Sequence, residues 1–159
     1  MRERVLDGDD EGPRWSFMRR KIIGDGHTIY MKRLYILATP WFGFMFHRLY
    51  RPDQQRDLHD HPWSFLSIIL RGFYRENTPE GIQERRWFNW KSAEDRHSIR
   101  FVSRIPVWTF VITGPRRRKW GFWVPVPCGD RKYHEHMAEC PPGHEKFIPF
   151  DEYEKLNDA

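Results

Sequence analysis

The feature that most constrains the fold is a succession of short aromatic-rich runs, each closed by a turn signal, with no helical period before the last residues. His27 to Thr39 and Trp41 to Tyr50 are parted at Pro40; the loop Arg51-Pro52-Asp53-Gln54-Gln55-Arg56-Asp57 leads to Trp63 to Tyr74. Gln83 to Lys91, His97 to Val102, Pro106 to Thr113 and Lys119 to Val126 follow at short intervals, and Asn77-Thr78-Pro79-Glu80-Gly81 is the clearest hairpin loop. Eight Trp and twelve Phe suit pleated faces, which favour aromatic and β-branched side chains. Such spacing predicts an all-β, antiparallel sandwich or barrel. With 159 residues and neither internal repeat nor linker, the chain reads as one domain over residues 15–150. A flexible polar segment, 1–14, precedes it, and a short tail, 151–159, follows.

His59-Asp60-His61-Pro62 stands at the head of the apolar run Trp63 to Leu70, which Arg71-Gly72 closes. Side chains alternate faces along an extended chain, so His59 and His61 point one way and Asp60 the other. Pro62 biases His61 toward that extended conformation. Two imidazoles so placed can share one metal, and neutral imidazole suits zinc, iron, copper or nickel without selecting among them. The alternative is a pair of surface histidines in a turn rich in Asp and Pro.

His-x-His followed by a strand that ends on glycine resembles the first motif of the cupin superfamily, over approximately residues 27 to 126. The resemblance implies a cupin-type (jelly-roll) β-barrel with a short C-terminal extension. It departs from the family pattern where cupins carry a glutamate ligand, a position that here holds Phe65. His97, in Glu94-Asp95-Arg96-His97-Ser98-Ile99, is the candidate for the second motif, without the customary Pro, Gly and Asn around it. A set of His59, His61 and His97 with no carboxylate is similar to the three-histidine iron centre of the cysteine dioxygenase type. That similarity implies Fe(II), with Zn, Mn or Ni as other occupants, and a dioxygenase-type oxidoreductase acting on a small anionic substrate.

Around this site Arg71 and Arg100 are candidates to hold a substrate carboxylate or phosphate by two-pronged hydrogen bonds. Trp63 and Phe65, in step with the histidines, are expected to form an apolar wall, extended by Trp108 and Phe110. His47 is read as a core histidine, or as a group bonded beside the metal ligands. Glu76 is the nearest carboxylate after the first motif, but it lies beyond Gly72 and has to fold back to reach the metal. Two other function classes stay open. One is a metal-dependent isomerase or epimerase using His47, Tyr74 or Tyr35; the other is a non-enzymatic module that binds a ligand or nucleic acid.

A formal charge of +5 and a sequence pI near 9.4 favour anionic partners. The densest basic run, Arg116-Arg117-Arg118-Lys119, follows the turn Thr113-Gly114-Pro115, and a solvated hairpin tip is preferred there to a nucleic-acid contact. The aromatics of Arg85-Arg86-Trp87-Phe88-Asn89-Trp90-Lys91 are read as alternating strand positions rather than base platforms. A homodimer is compatible with the chain. No apolar run is long enough to span a bilayer and Met1 to Asp10 has no apolar core, so a cytoplasmic protein is expected. Cys128 and Cys140 are too few for a disulfide framework; with His134, His136 and His144 they are a weaker candidate for a structural metal site.

Overall fold

In a computed structural model, the structure describes residues 15–24, 27–53, 57–104, 106–125, 145–150 and 152–153. Twelve strands account for most of them: β1 (Ser16–Gly24), β2 (Ile29–Ala38), β3 (Gly43–Leu49), β4 (Leu58–His59), β5 (Phe65–Arg71) and β6 (Tyr74–Thr78), then β7 (Gly81–Arg85), β8 (Phe88–Lys91), β9 (Ser98–Val102), β10 (Val107–Thr113), β11 (Gly121–Pro125) and β12 (Glu145–Pro149). The cluster Cys128, His134, His136, Cys140 and His144 lies outside the described residues.

All strand pairing is antiparallel. One sheet runs β1-β2-β3-β10-β5-β8, and two three-stranded sheets run β12-β11-β4 and β7-β6-β9. A single antiparallel bridge sews the two small sheets together: His59 and His97 exchange both backbone hydrogen bonds at 2.9 Å. Two of the three candidate ligands therefore form the seam of the second layer.

Glycine ends two elements where the backbone turns into the left-handed region. Gly72, at φ 80°, carries the chain out of the large sheet, and a Cβ there would stand 2.7 Å from Ser103 Oγ and 3.0 Å from Val107 Cγ2. Gly81, at φ 116°, closes the β6–β7 hairpin at the predicted loop. Gln83 to Lys91 is not one strand but two, β7 and β8, which belong to different sheets and join through Arg86-Trp87. β1 went unread because its Ser-Phe-Met-Arg-Arg-Lys stretch is mostly exposed and lacks the alternation that marks a half-buried strand.

Register sets what faces inward. Across the large sheet Tyr35, Met45, Val111, Ser67 and Asn89 lie in one row, Arg33, His47, Thr109 and Ile69 in the next. Met31, Leu49 and Val107 lie beyond them, where they join Ile23, Ile69, Tyr74 and Ile99 in one buried cluster. A second cluster closes the other end of the second layer: Phe122 stacks on Tyr153 at 4.0 Å between ring centroids, and Trp120 stacks on Phe150 at 4.3 Å. Each such buried ring contributes on the order of 2 kcal/mol by area alone.

The outer face of the large sheet is also apolar. Leu34, Phe46, Phe110, Ile68 and Phe88 form one cross-strand row; Leu37, Phe44, Ile112, Leu66 and Trp90 form the row beside it. Phe44 and Phe46 both pack on Phe110, at 6.2 and 5.1 Å between centroids. Flanking these rows, Lys32, Arg48, Trp108 and Arg71 make a basic line in which the Arg48 guanidinium lies 5.0 Å from the Trp108 ring.

Candidate metal centre

His59 is held by its strand pairing to β11 and by the bridge to His97, so both rings issue from one seam. His61, two residues on, adds a third ring on the same side, with ring centroids 5.2 Å from His59 and 5.1 Å from His97. One ligand nitrogen from each of the three lies within 4.8 Å of the others, and Nε2 of His61 and His97 stand 2.8 Å apart. Two nitrogens bound to one ion at about 2.1 Å and at a right angle stand about 3.0 Å apart, so the spacing fits a shared transition metal. Asp60 points the other way, as parity requires: its Oδ2 accepts from Trp123 Nε1 at 3.0 Å and from Arg118 at 3.1 Å. Burial raises the Asp60 pKa to about 6 against the pull of both partners.

The electrostatics favour the deprotonated imidazole that a metal needs. Burial pushes the His59 pKa down to about 4, the nearby Asp53 carboxylate opposing only in part. Burial, with His97, His59 and Arg33 as positive neighbours, holds His61 well below the usual histidine range. Asp53 Oδ2 stands 3.8 Å from His59 Nδ1 and accepts from Ile99 N at 2.6 Å, which ties the loop before β4 to β9.

Glu76 is the group that sequence reasoning placed out of reach. The turn at Gly72 carries the chain from the large sheet into the small one, and β6 then runs beside β9 with Glu76 paired to Ile99. Its carboxylate is fully buried: Oε2 accepts from His97 Nδ1 at 2.7 Å and from Asn89 Nδ2 at 3.0 Å, while Oε1 faces Arg85 Nε at 2.8 Å and Lys91 Nζ at 3.0 Å. Burial alone would raise its pKa; the His97 hydrogen bond, the His97 charge and Lys91 outweigh that and hold it well below the usual carboxylate range. A carboxylate accepting from Nδ1 leaves the Nε2 lone pair of His97 aimed at the cluster. Asn89 also donates to Tyr74 Oη at 2.9 Å, so Tyr74 is locked in this network; burial, then the Glu76 charge, raises its pKa further.

The three histidines form one wall of a cavity of about 90 Å³. Trp63 and Phe65 line it, with the Phe65 ring edge-on to His61 at 4.8 Å, and so do Met45, Leu49, Ile99 and Val111. His47 lines it too, as the cross-strand neighbour of Arg33.

Four expected contributors are elsewhere. Arg71 and Arg100 are exposed and do not line the cavity; a bulge turns Arg71 out, and Arg100 alternates outward from the inward Ile99. In the β5–β10 ladder the register jumps across Leu70, which brings Arg71 opposite outward-facing Trp108; in the β6–β9 ladder Arg100 is the extra residue between Ile99 and Phe101. Trp108 and Phe110 alternate with the inward Val107, Thr109 and Val111, so they belong to the outer face and not to the apolar wall. The guanidinium that does line the cavity is Arg33, whose Nη1 donates to Tyr35 Oη at 3.0 Å. The basic run is not a free tip either: Arg118 pairs with Asp60 and lies 4.7 Å from the Phe147 ring.

Two facing antiparallel layers, with a three-histidine cluster at the seam of one and opening between them, are now in place. The fold is an all-β, antiparallel jelly roll. No family model matches the chain, and no curated protein matches it. Among solved structures it is similar to an RmlC-like cupin from Shewanella frigidimarina, at 15% identity over 64% of this chain and 86% of that one, with a TM-score of 0.47. It is also similar to KdgF from Halomonas sp., at 12% identity over 64% of this chain and 96% of that one (TM-score 0.48). The Streptomyces nucleoside dehydratase Pac13 matches at 6% identity over 65% and 83%, TM-score 0.47. Among the described residues no helix is long and apolar enough to cross a membrane.

Proposed function

We propose that this cupin is a metal-dependent enzyme of the dioxygenase type, binding Fe(II) through His59, His61 and His97 and acting on a small anionic substrate. The observation that carries the reading is a ligand set of three imidazoles, His59 and His61 held neutral by burial and His97 oriented by Glu76, opening on a small and mostly apolar cavity. Bound there, Fe(II) supplies open coordination positions for substrate and dioxygen together with one-electron chemistry.

The chain's own residues do the rest. Because no carboxylate enters the ligand set, the site keeps the full dipositive charge of its ion, and Arg33 adds another positive charge on the opposite wall. Both favour an anionic substrate, with Arg33 in the role first assigned to Arg71 and Arg100. Trp63, Phe65, Met45 and Val111 keep that space dry. Glu76 keeps the proton on His97 Nδ1.

A second reading, a metal-dependent isomerase or epimerase, has one observation of its own: His47 and Tyr30 line the same cavity as candidate proton-transfer groups. The two readings separate on oxygen. Protein reconstituted anaerobically with Fe(II), Mn(II), Ni(II) or Zn(II) is assayed for bound metal, then for oxygen consumption against small carboxylates and thiols. The proposal expects one ion per chain and oxygen uptake with Fe(II) alone; stoichiometric metal with turnover in the absence of oxygen would move the site to the isomerase class. Failure to bind any of the four ions would end both readings.

A further inference from the structure

The outer face of the large sheet has the makings of an interface. An antiparallel sheet with one face on the core ordinarily shows polar residues on the other. Here the outer face is apolar as well as the core-facing positions Met31, Leu49 and Val107. The two outer rows cross β2, β3, β10, β5 and β8 without an interrupting charge, and the face is open where β5 and β8 carry it: Phe88 is 67% exposed, Trp90 62% and Ile68 36%.

From strand spacing and residue rise, the two apolar rows across five strands span roughly 330 Å², and roughly 500 Å² with the basic line beside them. The apolar part is the size of the largest apolar patch on an ordinary monomer. Two such faces in contact, basic lines included, bury roughly 1,000 Å² in total, the size at which an interface becomes specific. The sequence outside the described residues is poorly suited to cover it. Residues 1–14 carry eight charged side chains, and the large apolar residues of 126–144 are only Val126, Tyr133 and Met137.

We infer that this face packs against the same face of a second copy of the chain, sheet on sheet, about a two-fold axis. The charge pattern fits a self-complementary contact. The basic line of Lys32, Arg48 and Arg71 runs along one border of the aromatic rows, so a two-fold axis in the plane of the contact and parallel to those rows places the two basic lines on opposite rims, with the aromatic rows between them. An apolar centre with a polar, arginine-bearing rim is the usual composition of such interfaces. The contact lies on the side of the large sheet away from His59, His61 and His97, so it leaves their cavity intact.

The test uses the full chain. Sedimentation velocity and light scattering over about 1 to 100 µM should show a dimer with micromolar or tighter affinity. Tryptophan emission should shift to the blue as dimer forms, because Trp90 and Trp108 are partly exposed in the single chain. Ile68→Lys with Phe88→Lys places four like charges at the centre of the contact, and the dissociation constant should rise at least a hundredfold. Unchanged circular dichroism and unchanged zinc stoichiometry show that the variant has folded. Should it fail to fold, hydrogen exchange on the unsubstituted chain decides: β5 and β8 amides should gain protection with concentration. A monomer at every concentration would overturn the inference, as would a dimer that tolerates both lysines. So would a monomer that partitions onto phosphatidylserine vesicles through this face, since a lipid surface would then be the occupant.

Discussion

Glu76→Gln tests whether the buried carboxylate orients the metal site or only stabilises the fold. In the native chain it holds His97 Nδ1 at 2.7 Å and neutralises Arg85 and Lys91 at 2.8 and 3.0 Å, and no part of it reaches solvent. The amide keeps the shape and one acceptor oxygen but removes the charge. Two losses follow. Lys91, whose side chain is 7% exposed, is left without a counter-charge. Removing one partner of a buried pair costs about 3–5 kcal/mol, and the retained amide oxygen places this change near the lower figure. Separately, His97 no longer donates to an anion, and losing such an outer carboxylate weakens metal binding about 10- to 100-fold, or about 1.4–2.7 kcal/mol. Urea unfolding of the metal-free protein reads the first, and competition for Zn(II) against a fluorescent chelator reads the second. Adding Lys91→Met to the variant removes the orphaned charge, so it should return most of the stability and none of the affinity. If Lys91→Met restores both, or if Glu76→Gln binds zinc like the native chain, the orienting role is refuted.

Other outcomes follow from the same geometry. His61→Ala should abolish stoichiometric zinc binding while circular dichroism and the unfolding midpoint of the metal-free protein hold, because His61 belongs to none of the three core clusters. Acid should destabilise the metal-free protein in a defined window. The His59 pKa of about 4 in the folded chain lies below the ordinary 6.5, so the unfolded chain binds more protons between those values. Stability from this group is complete above pH 6.5, falls by about 3 kcal/mol on descending to pH 4 and then levels off, which urea titrations from pH 7.5 to 3.5 would show as a step that shrinks in His59→Asn. Neutralising Arg116, Arg117 and Lys119 should leave nucleic-acid affinity at the same weak, non-specific level; tight binding whose salt dependence disappears with these charges would contradict that.

Most of the strands from β2 to β11 and the two nearest ligands were legible because they rest on local rules. Alternation at His59, Asp60 and His61 needs only the parity of an extended chain, and Gly72 and Gly81 mark turns that other residues make at a cost. Arg71 was misplaced where parity broke: Leu70 is the extra residue of a bulge, and nothing in the spacing of Ile68-Ile69-Leu70-Arg71 announces it, whereas Arg100 is already out of step with the inward His97 and Ile99. Arg33 and Glu76 were missed for another reason. A polar residue aimed inward looks the same in sequence as one aimed outward, and Tyr74-Arg75-Glu76-Asn77-Thr78 reads as a solvated hairpin arm until the seam between His59 and His97 shows what lies against it.

The absence of a ligand carboxylate, which sets this chain apart from the family pattern, has a physical explanation. A carboxylate at position 65 would sit in step with His59 and His61, issuing from the large sheet; Phe65 instead packs edge-on to His61 and extends the apolar wall. The negative charge has moved to Glu76 on the opposite layer, where it faces His97 from behind and is itself balanced by Arg85 and Lys91. Carboxylate in the ligand set lowers the charge an ion presents to its substrate; carboxylate one hydrogen bond away leaves it and fixes the imidazole tautomer instead. With Arg33 on the facing wall, the cavity then presents two cationic features and no anionic side chain among its described lining residues. On the reading proposed above, an anion spanning the ion and the Arg33 guanidinium meets both positive features at once. The proposed site thus says more about the charge of a substrate than about the reaction, because the positive features are positioned by the fold while the same lining serves either oxygenase or isomerase chemistry.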